Sequence, residues 1–446
     1  MCQQHAFFRF LNYPIQKSFK RPPTTTECAR FRKYARRIRE LGDQRFSIQK
    51  SPPLEVFSVI QLGAINEHLF PNLKTLELWG IDEHFIPFIP LFLSPRTTTI
   101  ALRFLFDTPE AVIIPVITTL PTLCPKLQAI SLLTLSTDPT ITATIFGILV
   151  TGRGTLQKLH VDSPLTREAI EVLHELPNLR NLSVVIKGGA TPPSVSFPNL
   201  TELKISCDNE DGWPGLFHGA TFGKLESVFF YPRSEQIGDF LEAFERAALS
   251  SSVQNTLSKF YILALRPWNP TYSSLLPFTQ LVDLEIECPC YNGCSSRVDD
   301  DIVINLSRAM PKLKRLRLGD TPCRQPTTGV TAKGLMALAH HCKDLSLLRV
   351  HFQVASLGVP LAGPGVTPNA ESTVSWTDCA LTDLEVGKIP VPEKSMLMVA
   401  LTLLRIFPQL IFISGTGARW AKVCSAIYHS KGIVDRSSKR CPIITP

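Results

Sequence analysis

The residues most suited to chemistry in this chain of 446 residues are its twelve cysteines. Cys288, Cys290 and Cys294 stand close together, and thiolates are ligands that a zinc ion favours. Zinc-binding pairs of cysteines are usually separated by about two to four residues, whereas one residue separates the first two cysteines here. No histidine nearby in the sequence supplies a fourth ligand. The spacing therefore favours a loop of free thiols, and we expect no metal site.

Three further patterns resemble reactive sites, but each lacks a required part. The segment 415–420 (GTGARW) lacks the Lys-Ser/Thr end of a phosphate-binding loop. His340 and His341 precede Cys342, which fits the core of a helix better than a ligand set. The sequence also shows no Ser, His and Asp set in which the serine stands in the tight strand-to-helix turn typical of hydrolases. We therefore expect no catalytic residue and no cofactor, and we predict that the chain is not an enzyme.

The remaining candidates are aromatic and charged side chains that a strand pattern would bring to one surface. They are Phe229, Tyr231, Tyr261, Asp283, Glu285, Arg315, Arg317, Arg349, His351, Asp383 and Glu385, with Lys259 and Glu287 in the same rows. Aromatic residues and arginine dominate many interfaces, so we interpret these residues as a partner-binding surface. The charged residues have an alternative interpretation, since acidic and basic rows on adjacent strands can pair with each other. For the aromatic residues we favour binding.

A repeat in the sequence would position these side chains. Six times the chain has an apolar residue or Cys, then Pro, then Asn, Lys or Gln, then Leu, as in FPNL at 70–73. This leucine usually begins a second pattern, in which apolar residues stand three and five positions later, as in Leu73, Leu76 and Leu78. We call the first residue of this second pattern the anchor of a repeat. If weaker copies and a doubtful one at Thr97 are included, thirteen anchors lie between residues 73 and 410, at steps of 21 to 36 residues. This pattern is the signature of leucine-rich repeats.

The pattern also predicts the architecture. Alternating apolar residues indicate a strand with one face turned inward. Helical periodicity lies between strands, at 166–176, 237–249, 301–310 and 331–342. One strand and one helix cannot bury a core alone, but stacked repeats can. We therefore predict an α/β leucine-rich-repeat solenoid, a horseshoe with a concave parallel sheet and outer helices, and place the candidate surface on the concave face.

Charge and composition suggest four segments. We expect a poorly ordered segment at 1–23, a basic amphipathic helix that caps the first repeat at 24–42, about thirteen irregular repeats at 43–414, and a cap helix with a basic tail at 415–446. Residues 1–41 carry a charge of +8, residues 415–446 carry +5, and the middle carries −5. The mildly acidic body argues against nucleic-acid binding. For the basic helix, contact with an anionic surface or nucleic acid is the alternative.

The surroundings of the chain can also be predicted from the sequence. No apolar run approaches the roughly 20 residues of a membrane-spanning helix. The N-terminus, MCQQHAFFRF, has no secretory pattern. We therefore expect reduced thiols, a cytoplasmic or nuclear location and no membrane partner.

Residues 331–350 resemble the cysteine-containing leucine-rich repeat of F-box proteins. The matching residues are Gly334, Leu335, Leu338, Ala339, Cys342, Leu345 and Leu348. The segment 30–41 looks like the basic helix that joins the F-box to the repeats in fungal F-box-like proteins. Trp420 and Val423 are similar to the close of that family, so the resemblance spans about residues 24–430.

This resemblance implies substrate recognition in a ubiquitin-ligase adaptor, with a Skp-type linker and a cullin scaffold as partners. Those partners bind through the F-box, a helical segment that opens with a Leu-Pro pair, and the sequence shows no such segment. The alternative is a structural or signalling scaffold unrelated to ubiquitin, including a truncated or degenerate copy of the family.

Overall fold

The chain forms two compact units, residues 1–204 and residues 205–446. The computed structural model describes residues 24–42, 68–105, 108–133, 147, 154–165, 167–186, 195–207, 217, 220–232, 237–251, 253–264, 271–287, 298–319, 329–357, 378–387, 391–415 and 418–431. The segment 1–23, the three clustered cysteines at 288–294 and the tail after residue 431 lie outside the described residues. Within the described part, no helix is both long and apolar enough to span a membrane.

The first unit is built on parallel strands that follow one another in chain order. Helix α1 (Thr25–Ala35) precedes strands β1 (Glu40–Leu41), β2 (Thr75–Ile81), β3 (Thr99–Phe104), β4 (Ala129–Leu133), β5 (Lys158–Leu165) and β6 (Asn181–Ile186). The connections contain a 3-10 turn (Ile86–Phe88) and helices α2 (Ile89–Phe92), α3 (Glu110–Leu123) and α4 (Arg167–Leu173). Strands β7 (Ser196–Phe197) and β8 (Glu202–Cys207) come next, and β8 contains the boundary between the units.

Helix α1 starts and ends for identifiable reasons. Thr24 and Glu27 form a capping box, in which each side chain accepts a hydrogen bond from the other's backbone N–H, at 3.3 and 2.7 Å. The helix ends at Ala35, short of the predicted end at residue 42. Leu41 instead lies in β1, where it is buried and pairs with Leu76 of β2. Leu41 is therefore buried as a strand residue beside the first repeat and is not part of the helix.

The second unit repeats the design with longer helices. Its elements are β9 (Thr221–Phe222), β10 (Ser227–Pro232), α5 (Ile237–Ser250), β11 (Lys259–Leu263), β12 (Asp283–Glu287), α6 (Asp300–Ala309), β13 (Arg315–Leu318), α7 (Ala332–His341), β14 (Leu347–Val350), α8 (Val354–Leu357), β15 (Asp383–Gly387), α9 (Met396–Ile406), β16 (Phe412–Gly415) and α10 (Ala418–Ser430). The 3-10 turns are Val253–Asn255, Tyr272–Leu275 and Glu393–Ser395. Strands β10 to β16 pair in parallel in chain order.

The predicted anchors form the interior of both units. All thirteen are buried: Leu73, Thr97, Leu127, Leu156, Leu179, Leu200, Leu225, Leu257, Leu281, Leu313, Leu345, Leu381 and Leu410. The doubtful anchor, Thr97, donates a side-chain hydrogen bond to the carbonyl of Leu73, at 3.3 Å, which satisfies its hydroxyl inside the core. The predicted α/β leucine-rich-repeat fold is confirmed.

Helices cover one face of the sheet in the second unit. Phe244 of α5 packs against Phe230 of β10, Phe260 of β11 and Phe278, with ring centroids 5.9, 5.7 and 5.6 Å apart. Side chains alternate between the two faces of a strand, so Phe229 and Tyr261 point to the opposite face. We call this opposite face of β10–β16 the open face; it carries the candidate residues.

A recurring hydrogen bond fixes the start of each strand. The N–H groups of Lys314 and Arg315 donate to the carbonyl of Val282, at 2.8 and 3.1 Å, and those of Ser346 and Leu347 donate to Lys314 at the same distances. The same arrangement recurs at every strand from β11 to β16. One carbonyl per repeat therefore sets the register of the next strand.

Candidate functional site

The strand register gathers the candidate residues into rows across the open face. One row runs Phe229, Tyr261, Glu285, Arg317, Arg349 and Glu385 over strands β10 to β15. A second row runs Lys259, Asp283, Arg315, Leu347 and Asp383 over strands β11 to β15. Neighbouring strands lie about 4.8 Å apart, so adjacent members of a row can contact each other.

The first strands of this face carry an apolar zone, which consists of Phe229, Tyr231, Tyr261 and Leu263. The rings of Phe229 and Tyr261 stack with centroids 4.6 Å apart and planes 3° from parallel. Tyr231 and Leu263 remain 38% and 40% exposed. Leu263 was not among the predicted site residues, although its position two residues after Tyr261 in the same strand could have indicated it.

Asp283 joins the apolar zone to the charged rows. The Tyr261 hydroxyl donates to Asp283 Oδ2 at 3.2 Å, and Arg315 Nε donates to Asp283 Oδ1 at 2.7 Å. Burial acts to raise the pKa of Asp283, but the hydrogen bonds and charge of Arg315 outweigh it and lower the pKa below its ordinary value. Burial and the negative charge of Asp283 raise the pKa of the Tyr261 hydroxyl to about 12. The tyrosine therefore stays neutral and keeps donating at neutral pH.

Five side chains form a continuous ion-pair chain in the order Glu285, Arg317, Glu385, Arg349 and Glu287. Arg317 contacts Glu285 and Glu385 through separate Nη atoms, each at 3.1 Å. Arg349 Nε lies 2.6 Å from Glu385 Oε2, and Arg349 Nη1 bonds to Glu287. Two of these contacts reach past a strand, since Arg317–Glu385 and Arg349–Glu287 each join strands that are not neighbours. The ion-pair chain thus ends in a carboxyl group on both sides.

Among the charged candidates, intramolecular pairing is extensive. The guanidinium groups of Arg315, Arg317 and Arg349 all bind carboxylates of this face. Asp383 differs, because it lies beside Leu347 in the register and accepts a hydrogen bond from the Thr382 hydroxyl at 2.6 Å. Contact of these residues with a partner stays a prediction.

Two of the predicted contact residues, Asp283 and His351, are buried. Asp283 is only 4% exposed, because Arg315 and Tyr261 cover its carboxylate. His351 is 6% exposed and lies just beyond the end of β14. Its ring lies next to Gly319, where a Cβ would stand 3.3 Å from His351 Cδ2, so the missing side chain makes room for it. Neither residue offers much surface to a partner.

The first unit brings a serine and a histidine together on its strands. Ser131 Oγ and His160 Nδ1 lie 3.3 Å apart on the neighbouring strands β4 and β5. Burial lowers the pKa of His160, although the charge of Asp162 acts to raise it. Both residues lie within paired strands, where backbone N–H groups are used in the ladder and do not form an oxyanion site. The described residues also contain no group of three or more His, Cys, Asp or Glu arranged to hold a metal ion.

Polar links between repeats were missed by the sequence reasoning. Asn72 Nδ2 donates to the Arg36 carbonyl at 2.7 Å, and Asn199 Nδ2 donates to the Pro177 carbonyl at 2.8 Å. Asn178 makes the equivalent bond to Gly154. All three asparagines come directly after the motif proline, so the Pro-Asn-Leu copies carried the signal.

Comparisons with known proteins give no family. No protein-family model matches the chain, and no curated protein matches it. Among solved structures, it is similar to a chain of the yeast Rad7 and Elc1 complex, at 16% identity over 63% of this chain and 77% of that chain, with a TM-score of 0.37. It is also similar to an internalin, inlF, of Listeria monocytogenes, at 13% identity over 89% of this chain and 87% of that chain, with a TM-score of 0.34. The fold assignment rests instead on the strand register and the buried anchors.

Proposed function

We propose that the chain is a protein-binding leucine-rich-repeat module, without catalytic activity, whose partner contacts the open face at the apolar zone. The observation that carries this proposal is the exposure of Tyr231 and Leu263, at 38% and 40%, on neighbouring strands of a paired sheet. Leaving large apolar side chains in water is unfavourable, and their burial by a partner would yield free energy. The stacked rings of Phe229 and Tyr261 extend the same surface.

The charged rows are weaker candidates for the main contact. Each arginine there already binds at least one carboxylate, so a partner would have to compete with existing pairs. Breaking such a pair leaves one charge without its partner, which costs free energy. A partner that covers the apolar zone breaks no ion pair there, and removing its exposed apolar atoms from water lowers the free energy.

Site-specific photo-crosslinking in living cells tests this proposal. A photoreactive amino acid at Leu263 is expected to give a discrete crosslinked protein, and one at Leu249 is the matched control. Leu249 is also an exposed leucine but lies on α5, which packs on the other face of the sheet. Tyr231→Ala in the same chain is expected to reduce the crosslink. Equal crosslinking from both leucines, or no effect of Tyr231→Ala in a folded protein, would reject the apolar zone as the contact.

More specifically, we propose substrate recognition in an F-box-like ubiquitin-ligase adaptor. The resemblance at 331–350 supports this, since its seven matching residues are all buried in α7, β14 and the turn between them. Cys342, the residue that distinguishes this repeat type, directs its thiol at the carbonyls of Ser307 and Met310, at 3.7 and 3.6 Å. The cysteine therefore has a structural role in joining α7 to the preceding repeat.

The adaptor proposal is tested by co-purification of the full gene product with a Skp-type linker and a cullin. Capture of both at equal stoichiometry is the expected result. Failure to capture the linker, with the crosslink at Leu263 retained, would favour the alternative of a structural or signalling scaffold unrelated to ubiquitin.

A further inference from the structure

The ion-pair chain on the open face has one more negative than positive group. It contains three carboxylates, Glu285, Glu287 and Glu385, and two guanidinium groups, Arg317 and Arg349. In the part of the chain that the structure describes, no further lysine or arginine pairs with these carboxylates. The surplus negative charge therefore belongs to the terminal carboxyl groups.

These terminal groups are close neighbours. Glu285 and Glu287 lie two residues apart on β12 and point to the same face, so their Cα atoms are about 7 Å apart. Burial and the nearby Glu285 raise the pKa of Glu287, although Arg349 opposes this. The two side chains also hydrogen-bond to each other, so a cation that contacts both carboxyl groups would offset their mutual repulsion. Both side chains are 24% exposed, so a cation from outside can reach them.

The apolar zone lies directly beside this acidic pair. Leu263 is the register partner of Glu287, and Tyr231 lies one strand further on. With strands about 4.8 Å apart, the exposed apolar side chains lie roughly 5 to 10 Å from the Glu287 carboxyl. Side chains on one side of an extended peptide recur about every 7 Å, at positions i and i+2. An extended segment therefore has the right spacing to contact both features.

We propose that the partner presents an extended segment in which a lysine or arginine contacts the carboxyl groups of both Glu285 and Glu287, while an apolar side chain two positions away packs on Tyr231 and Leu263. This inference rests on the proposed function, because it names the chemistry that the same surface would recognise. An acidic segment would meet arginines that are already paired and carboxylates in excess. Charge complementarity thus selects a basic partner over an acidic one.

A random peptide library displayed on phage and panned against the full chain tests the proposal. Enrichment of an apolar residue two positions from Lys or Arg is expected. Replacing the basic residue of a selected peptide by norleucine should weaken its binding about tenfold to a hundredfold, since a charge-assisted pair is lost. This change leaves the protein untouched, so loss of folding cannot explain it.

Variants of the protein distinguish this inference from the proposed function. Glu287→Gln should weaken peptide binding, whereas Glu393→Gln, at an exposed glutamate paired with Lys422 at 3.7 Å, should not. Arg349 keeps Glu385 as a partner in the first variant, so the sheet is expected to stay folded. Selected peptides whose binding depends on Tyr231 but not on Glu287, or that are enriched in acidic residues, would overturn the basic-segment inference alone. A library that yields no binder would overturn the basic-segment inference alone, and selected peptides whose binding depends on none of Tyr231, Leu263 and Glu287 would overturn both proposals.

Discussion

Gly334 of α7 lies so close to Asp300 that an alanine at this position should destabilise the second unit. The Asp300 carboxylate accepts hydrogen bonds from the Thr331 N–H at 2.8 Å, the Gly334 N–H at 2.9 Å and the Thr331 hydroxyl at 2.7 Å. A Cβ on Gly334 would stand 2.6 Å from Asp300 Oδ1 and 3.3 Å from Val330 Cγ1. The Gly334→Ala variant can therefore form only if the carboxylate moves away and gives up these bonds.

The expected magnitude is the balance of two opposing effects. Alanine is favoured over glycine inside a helix by about 1 kcal/mol. Loss of three hydrogen bonds to a half-buried carboxylate costs about 3 kcal/mol, at roughly 1 kcal/mol each. We therefore expect Gly334→Ala to lower the free energy of unfolding by about 2 kcal/mol. Urea denaturation followed by circular dichroism measures it, and hydrogen exchange of the α7 amides reports the local effect.

A double-mutant cycle tests whether Asp300 is the cause. In an Asp300→Ala background the obstacle is gone, so Gly334→Ala should be neutral or stabilise by about 1 kcal/mol. If Gly334→Ala is equally destabilising in both backgrounds, the contact with Asp300 does not explain the loss. If it stabilises the unaltered chain, the glycine is not required there at all.

Four further outcomes are expected. Trp420→Ala, which removes a buried ring next to Phe352, should lower the free energy of unfolding by about 3 to 5 kcal/mol in urea denaturation; a loss under about 1 kcal/mol would contradict its place in the core. Burial raises the pKa of Cys342 to about 12, so maleimide at mildly alkaline pH should label this thiol only after unfolding, as peptide mapping by mass spectrometry would reveal. The pKa of Tyr261 is about 12 in the folded chain and about 10 in the unfolded chain. The contribution of Tyr261 to stability is therefore complete below about pH 10 and is lost as the pH rises through about 12. In a spectrophotometric titration, the phenolate absorbance that appears near pH 12 should be missing from the Tyr261→Phe variant. Asn72→Ala should speed hydrogen exchange in α1 about fivefold, because a hydrogen bond worth about 1 kcal/mol is lost; unchanged exchange would refute its role.

The repeat architecture could be predicted because buried positions recur along the sequence in the same local pattern. Leu76 and Leu78 alternate because one face of β2 is buried, and Leu73 recurs because every repeat needs an anchor. Helices α5, α6 and α7 start and end within one residue of the predicted bounds for the same reason. Periodicity thus identifies elements whose neighbours are other copies of the same repeat.

The pairing on the open face could not be predicted in the same way. The sequence suggested that acidic and basic rows meet on adjacent strands, as Arg315 and Asp283 do. Arg317 and Arg349, however, are register partners with like charge, and each reaches past a strand to a second carboxylate. Which carboxylate a long side chain selects depends on its rotamer, and a one-dimensional pattern contains no information about that.

Strand β1 was missed for another reason. Leu41 has no preceding Pro-anchored motif, so nothing in the sequence marks it as part of the repeat. Only its pairing with Leu76 reveals that it belongs to the sheet. Terminal elements depart from the repeat consensus because they have a neighbour on one side only.

The carbonyl that sets each strand's register has an evolutionary consequence. The acceptors Ser258 and Val282 are 24 residues apart in the sequence, and the acceptors Ser346 and Thr382 are 36 apart, yet each makes the same bonds to the next strand. The length of a connection is therefore independent of the alignment of the strands. Insertions and deletions in connections can accumulate during evolution while the open face keeps its arrangement. Substitutions on the open face and insertions in the connections can therefore arise independently of each other.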